Sequence, residues 1–151
     1  MKDYIQEFKK YLKKNNLKYT LERKDIVEAI IGLDKHFDAE QIYQQLRKQA
    51  SDVSLATIYR TIPILIDSGL ISETLHCRDK VVYEKVFHRG HHDHMICIRC
   101  GKIIEFYNED IEKLQNEICK KYHFLPVEHR LGIKGYCKEC QKEIEKEKKN
   151  I

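Results

Sequence analysis

Two cysteine pairs, "CIRC" at 97–100 and "CKEC" at 137–140, restrict this chain more than any other feature. Each Cys-x-x-Cys sets two thiolates on a tight knuckle, and two knuckles complete a tetrahedral zinc shell from Cys97, Cys100, Cys137 and Cys140. Four sulfurs leave no open coordination position, so such a zinc is structural rather than catalytic. Ligand binding is coupled to folding, which ties the C-terminal tail to the region near residue 97. The 36 residues between the pairs exceed the usual zinc-ribbon spacing of about 15–20, so a strand and a helix must fit inside the loop. The competing reading of one Cys-x-x-Cys is a thioredoxin-type redox pair, but that motif belongs near a βαβ unit, and here it occurs twice. Cys77 and Cys119 stand alone and read as inert thiols.

The rest of the chain decides how this staple is used. The 151 residues are 42% hydrophobic and 34% charged, with two prolines and six glycines, a composition of folded and rather helical proteins. That length suits one domain or two small ones, and small domains need support for their cores. The N-terminus "MKDYIQEFKKYLKKNN" has no continuous apolar run, so neither a secretory signal nor a membrane span is expected, and the protein is placed in the cytoplasm. In that reducing compartment six cysteines are thiols or metal ligands rather than disulfides. Net charge is only +4, but Lys9, Lys10, Lys13, Lys14, Lys18, Arg23 and Lys24 stand against Glu22 alone, a local +6. Such a run is either a solvated helix face or a surface turned to phosphates.

Apolar periodicity organises the first half. Tyr4, Ile5, Phe8, Tyr11 and Leu12 recur at helical spacing over about 3–15. Thr20 caps a second helix that carries Ile26, Val27, Ile30 and Ile31 and ends near Gly32. Asp38 with Gln41 forms a capping box for a third, which buries Ile42, Tyr43 and Leu46. Ser54 caps a fourth helix through Ile58, Ile62, Leu65 and Ile66, with Gly69 at its end and a kink or short break at Pro63. "LISETLH" and "KVVYEKVF" then alternate around a turn at 77–80, as a β-hairpin does. Helix, turn, helix and hairpin wing together make a winged helix-turn-helix, whose last helix enters the DNA major groove. The expected fold class is α+β, with a winged-helix DNA-binding domain over 1–87. A small α/β domain carrying the four-cysteine zinc site follows over 88–151. In its helix Ile111, Leu114, Ile118 and Tyr122 share a face that leaves Glu112 aside.

"HHDH" at 91–94 supplies further donors. If this stretch is extended, alternation sends His92 and His94 to one face and His91 and Asp93 to the other, so one tetrapeptide serves two sites. Imidazole with carboxylate suits zinc, iron, manganese or nickel better than magnesium or calcium. The pattern alone leaves two readings, transition-metal sites or a cluster of solvated histidines. His36, Glu84, Glu105, Glu112 and His129 are candidate ligands on other elements. A metalloenzyme is the competing class, since such ligands can activate water. The donors are numerous enough to close a shell, however, and no separate nucleophile or base is evident.

"HHDHMICxxCGKIIEF", with "LKYTxxR" at 17–23, "HxxAExIY" at 36–43 and "SLATIYRT" at 54–61, resembles the ferric uptake regulator family from about residue 5 to Cys140. The resemblance implies a homodimeric bacterial transcription factor with a C-terminal dimerisation domain, acting on double-stranded operator DNA and not on membranes; a tetramer is the alternative assembly. By position it implies a regulatory metal at His36, Glu84, His92, His94 and Glu105 and an additional one at His91, Asp93, Glu112 and His129. DNA contacts would fall to Lys18, Arg23, Ala56, Thr57, Tyr59 and Arg60, on an AT-rich inverted repeat. Peroxide sensors of the family carry aspartate where Glu105 stands, and zinc sensors tend to use a cysteine. The set thus resembles an iron sensor, with Fe2+ replaceable by Mn2+ or Zn2+ in vitro. Glu22 and Pro63 depart from the family's commonest pattern.

Overall fold

The computed structural model describes residues 2–86 and 90–151. The end of the second wing strand expected at Phe87, and the domain boundary expected at 87/88, lie outside the described residues. The chain divides into two compact units, Met1–Arg89 and Gly90–Ile151.

The first unit holds four helices, α1 (Lys2–Lys14), α2 (Leu21–Gly32), α3 (Ala39–Lys48) and α4 (Leu55–Asp67), and three strands, β1 (His36–Phe37), β2 (Ile71–Cys77) and β3 (Lys80–Lys85). The caps are those the sequence indicated. The Thr20 hydroxyl accepts from the Arg23 amide at 3.3 Å and Ser54 from Thr57 at 3.2 Å. Asp38 and Gln41 bond reciprocally at 2.8 and 2.9 Å. Each side-chain oxygen satisfies an amide that a helix start leaves without a partner, worth about 1 kcal/mol. At the other end of α4, Gly69 has φ +74°. Its amide bonds to Ile66 at 2.9 Å and that of Leu70 to Leu65 at 3.2 Å, a left-handed closure that favours glycine.

Pro63 causes no break, because α4 runs unbroken from Leu55 to Asp67. Pro63 is exposed, so the Tyr59 carbonyl that loses its donor lies on a face water can reach, and the cost of a buried unpaired group does not arise.

The wing turns through Arg78 and Asp79, both at positive φ (51° and 61°), a two-residue turn whose hand matches strand twist. The two-residue β1 was not expected. It pairs antiparallel with β3, His36 opposite Glu84 and Phe37 opposite Tyr83, and gives a sheet of order β1-β3-β2. Lys85, at the end of β3, donates to the carbonyls of Ile31 and Leu33, where a cation complements the C-terminus of α2. Phe8, Leu12, Ile26, Val27, Ile30, Phe37, Ile42, Leu46, Ile58 and Leu65 form one closed core. Tyr4 joins it and donates its hydroxyl to the Leu70 carbonyl at 2.8 Å, so α1 is anchored to the base of the wing. Tyr43, expected in the core, is half-buried and lies under the Arg47 guanidinium, 4.6 Å from its ring centre.

The second unit comprises β4 (Asp93–Cys97), β5 (Ile103–Phe106), α5 (Glu109–Lys121), β6 (Gly132–Gly135) and α6 (Lys138–Lys149). β4 lies between an antiparallel β5 and a parallel β6. The apolar stripe on α5 exists, but this chain does not cover it: Leu114 and Ile118 are each 58% exposed and Tyr122 71%.

Candidate metal centres and nucleic-acid face

In the second unit the turn after β4 and the start of α6 bring the four cysteines together. Their sulfurs lie within 4.8 Å of one another, and those of Cys100 and Cys137 are 3.7 Å apart. That separation is far too long for a disulfide. It matches the edge of a zinc–sulfur tetrahedron, about 3.8 Å for bonds of ~2.3 Å. Local sequence builds both knuckles. Gly101, at φ +77°, lets its amide fold back onto the Cys97 carbonyl at 2.8 Å, and the Cys97 amide meets Lys102 at 2.9 Å. Cys137 is the N-cap of α6 and Cys140 sits in its first turn, where the helix N-terminus favours a thiolate. The amide of Cys100, followed by that of Cys137, pulls the Cys97 thiol down to about 6. Burial pushes the Cys140 thiol upward. Four sulfurs this close together are all held as thiolates only against a cation. The donor set fits a structural zinc.

A second donor group gathers His91, Asp93, Glu112 and His129, with ligand atoms again within 4.8 Å. His91 Nε2 is 3.3 Å from Asp93 Oδ1 and 3.2 Å from Glu112 Oε1, and His129 Nε2 is 3.2 Å from Glu112 Oε2. Ligands about 2.1 Å from one tetrahedral ion stand ~3.4 Å apart, so these spacings suit a transition metal. Asp93 is buried, and its Oδ2 has no hydrogen-bond partner among the described residues. A carboxylate oxygen left so is costly unless something binds it. The Leu131 amide holds the other oxygen at 3.3 Å.

The remaining donors fall in two sets, one on each unit. In the second unit His92 and His94 stand with ring centres 4.8 Å apart. His92 Nε2 is 3.5 Å from Glu105 Oε1, and His94 lies opposite Glu105 in the β4–β5 register. His92 and His94 thus meet each other and His91 meets Asp93, the division that strand alternation gives. In the first unit His36 Nε2 is 3.4 Å from a buried Glu84 Oε2, and Ser72 donates to the other Glu84 oxygen at 3.2 Å.

On α4, Ala56, Tyr59 and Arg60 are exposed and Thr57 half-exposed. Arg60 donates to the Thr57 hydroxyl at 3.1 Å, which itself lies 3.0 Å from Ser54. Lys18 is exposed, and the Arg23 guanidinium bonds to its carbonyl. The one basic side chain of this set that is drawn inward, Arg23, thereby fixes the turn that presents Lys18.

A feature that the sequence reading missed borders the zinc site. Arg99 reaches Glu147 with both terminal nitrogens, at 3.2 and 2.6 Å. The signal was present in the tail, where Glu139, Glu143 and Glu147 recur every fourth residue.

A winged helix-turn-helix joined to a unit rich in transition-metal donors defines a metal-binding protein of the regulator class. The profile of the ferric uptake regulator family matches residues 14–134. A ferric uptake regulation protein of Campylobacter upsaliensis is 35% identical over 138 residues, covering 90% of this chain and 88% of that protein. The solved ferric uptake regulator of Helicobacter pylori, described as having three functional metal binding sites, superposes with a TM-score of 0.79 at 33% identity, covering 93% of each chain. The Francisella tularensis regulator, solved with iron, gives 0.73 at 32% identity over 83% of this chain and 95% of that one. The chain belongs to the ferric uptake regulator family of metal-responsive regulators.

Proposed function

We propose that this protein is a cytoplasmic, iron-sensing repressor that binds an AT-rich inverted repeat as a metal-loaded homodimer. One observation carries the reading. His36 and Glu84 on the first unit, and His92, His94 and Glu105 on the second, are each too few for a filled transition-metal shell, yet together supply five donors. A single regulatory ion drawing on both sets would favour one arrangement of the winged helices over others, and its differential affinity for that arrangement would do the regulating. Two-fold pairing then matches two-fold DNA, with α4 of each copy in a major groove. Tyr59 is suited to a thymine methyl, Arg60 to a base edge or phosphate, and Lys18 to the minor groove. A second copy on the apolar face of α5 accounts for side chains that one chain leaves in water. The glutamate at 105 and the iron-bound relative favour iron. Zinc binds such ligands more tightly in a test tube, so affinity alone does not name the effector.

The test is an anaerobic DNA-binding titration on an AT-rich palindrome, with ferrous iron, manganese and zinc buffered at cellular free concentrations. Iron is expected to give the most sensitive response. His92→Ala should retain structural zinc and lose metal-stimulated binding; an unaltered metal response in that variant rejects the regulatory assignment.

A further inference from the structure

α6 has little of what usually holds a helix to its domain. Of its twelve residues only Cys140 is buried, with Ile144 half-buried. An isolated helix shorter than about 12–15 residues is marginal in water, and most helices are held by an apolar face. This one has almost none. Its ion-pair partners lie in, and just after, the opposite knuckle. Glu139, Glu143 and Glu147 recur at i, i+4 and i+8 and so share a face. Lys102 meets Glu139 at 3.6 Å, and Arg99 meets Glu143 at 3.5 Å and Glu147 at 2.6 Å. Arg99 lies inside the Cys97–Cys100 knuckle, whereas the glutamates continue the helix that begins at the Cys137–Cys140 knuckle. The ion pairs thus cross between the same two segments that the four sulfurs join.

We infer that Arg99, with Lys102, and the glutamate stripe of α6 form an electrostatic clasp that holds the two cysteine knuckles closed and sets how slowly the site releases zinc. The inference rests on the zinc reading of the four cysteines. For the ion to leave, one knuckle must swing away from the other, and the paired arginine resists that motion at the far end of the lever. Single exposed pairs contribute little, but a two-pronged arginine within a network falls at the stronger end of such pairs. Because the pairs are exposed, salt should weaken the clasp.

The experiment follows zinc transfer from the full-length holoprotein to excess 4-(2-pyridylazo)resorcinol, after brief chelation has removed weakly held metal. Wild type should show a slow phase of one zinc per chain that Cys97→Ser lacks. Arg99→Ala should release that zinc about twofold to fivefold faster in low salt, with the difference shrinking at high salt. Arg99→Glu should be faster still, and the exchange Arg99→Glu with Glu147→Arg should restore the slow phase. Release unchanged in Arg99→Ala would overturn the clasp while leaving the zinc site standing. Faster release that the charge exchange fails to restore would also overturn it, since Arg99 would then act through something other than the pair. A slow phase that persists in Cys97→Ser would overturn the zinc reading itself.

Discussion

The two units solve the problem of stability differently. The first closes a core in which Phe8, Leu12, Ile26, Phe37, Ile42, Leu46 and Leu65 are all fully buried, each contributing about 1.5–3 kcal/mol. In the second, among the described residues, the buried apolar side chains are Ile96 and two of the cysteines, Cys97 and Cys140. Phe124, Leu125 and Val127, which follow α5 in the chain, are also more than half exposed. One unit is held by packing that it carries within itself. The other has little packing of its own, and its four sulfurs fit a structural zinc.

Removing zinc should separate the units most sharply. A structural zinc contributes an apparent ~10–16 kcal/mol, so Cys140→Ser should unfold the second unit and leave the first intact. Limited proteolysis of the full chain should then digest from about residue 90 onward, whereas equal resistance in both units would erase the contrast. The converse variant acts on the packed unit. Phe8→Ala should cost about 3–5 kcal/mol in a urea melt, without loss of the slowly released zinc; zinc lost in step with that melt would show that the units fold as one. The smallest effect concerns the apolar face. Ile118→Glu should weaken self-association by roughly 2 kcal/mol, about 30-fold in dissociation constant, measured by sedimentation at falling concentration. Unchanged association would mean that another surface forms the dimer.

Much of this was legible residue by residue. Thr20, Asp38 and Ser54 announce helix starts because a cap bonds to an amide three residues on, and so needs no tertiary information. The four cysteines announce their site because two Cys-x-x-Cys knuckles together complete a tetrahedral zinc shell. β1 was not legible. Two residues carry no periodicity, and His36–Phe37 is a strand only because β3, more than forty residues later, supplies its partners. The short break offered as one outcome at Pro63 does not occur. An interior proline costs less where the carbonyl it abandons reaches water, and Pro63 lies off the apolar face of Ile58, Ile62 and Leu65.

By itself, then, the sequence determined what is local or chemically exclusive. It set the first four helices and the caps of three of them, the wing turn, the four-sulfur site, and the split of His92 and His94 from His91 and Asp93, since periodicity and ligand chemistry act over a few residues. The tertiary structure decided what depends on distant partners. It set His36 beside Glu84, brought Glu112 and His129 to His91, left the apolar stripe of α5 uncovered, and laid the glutamates of α6 against Arg99. Such contacts join residues far apart in sequence, and only the packed chain fixes which of the many available charges and apolar faces meet.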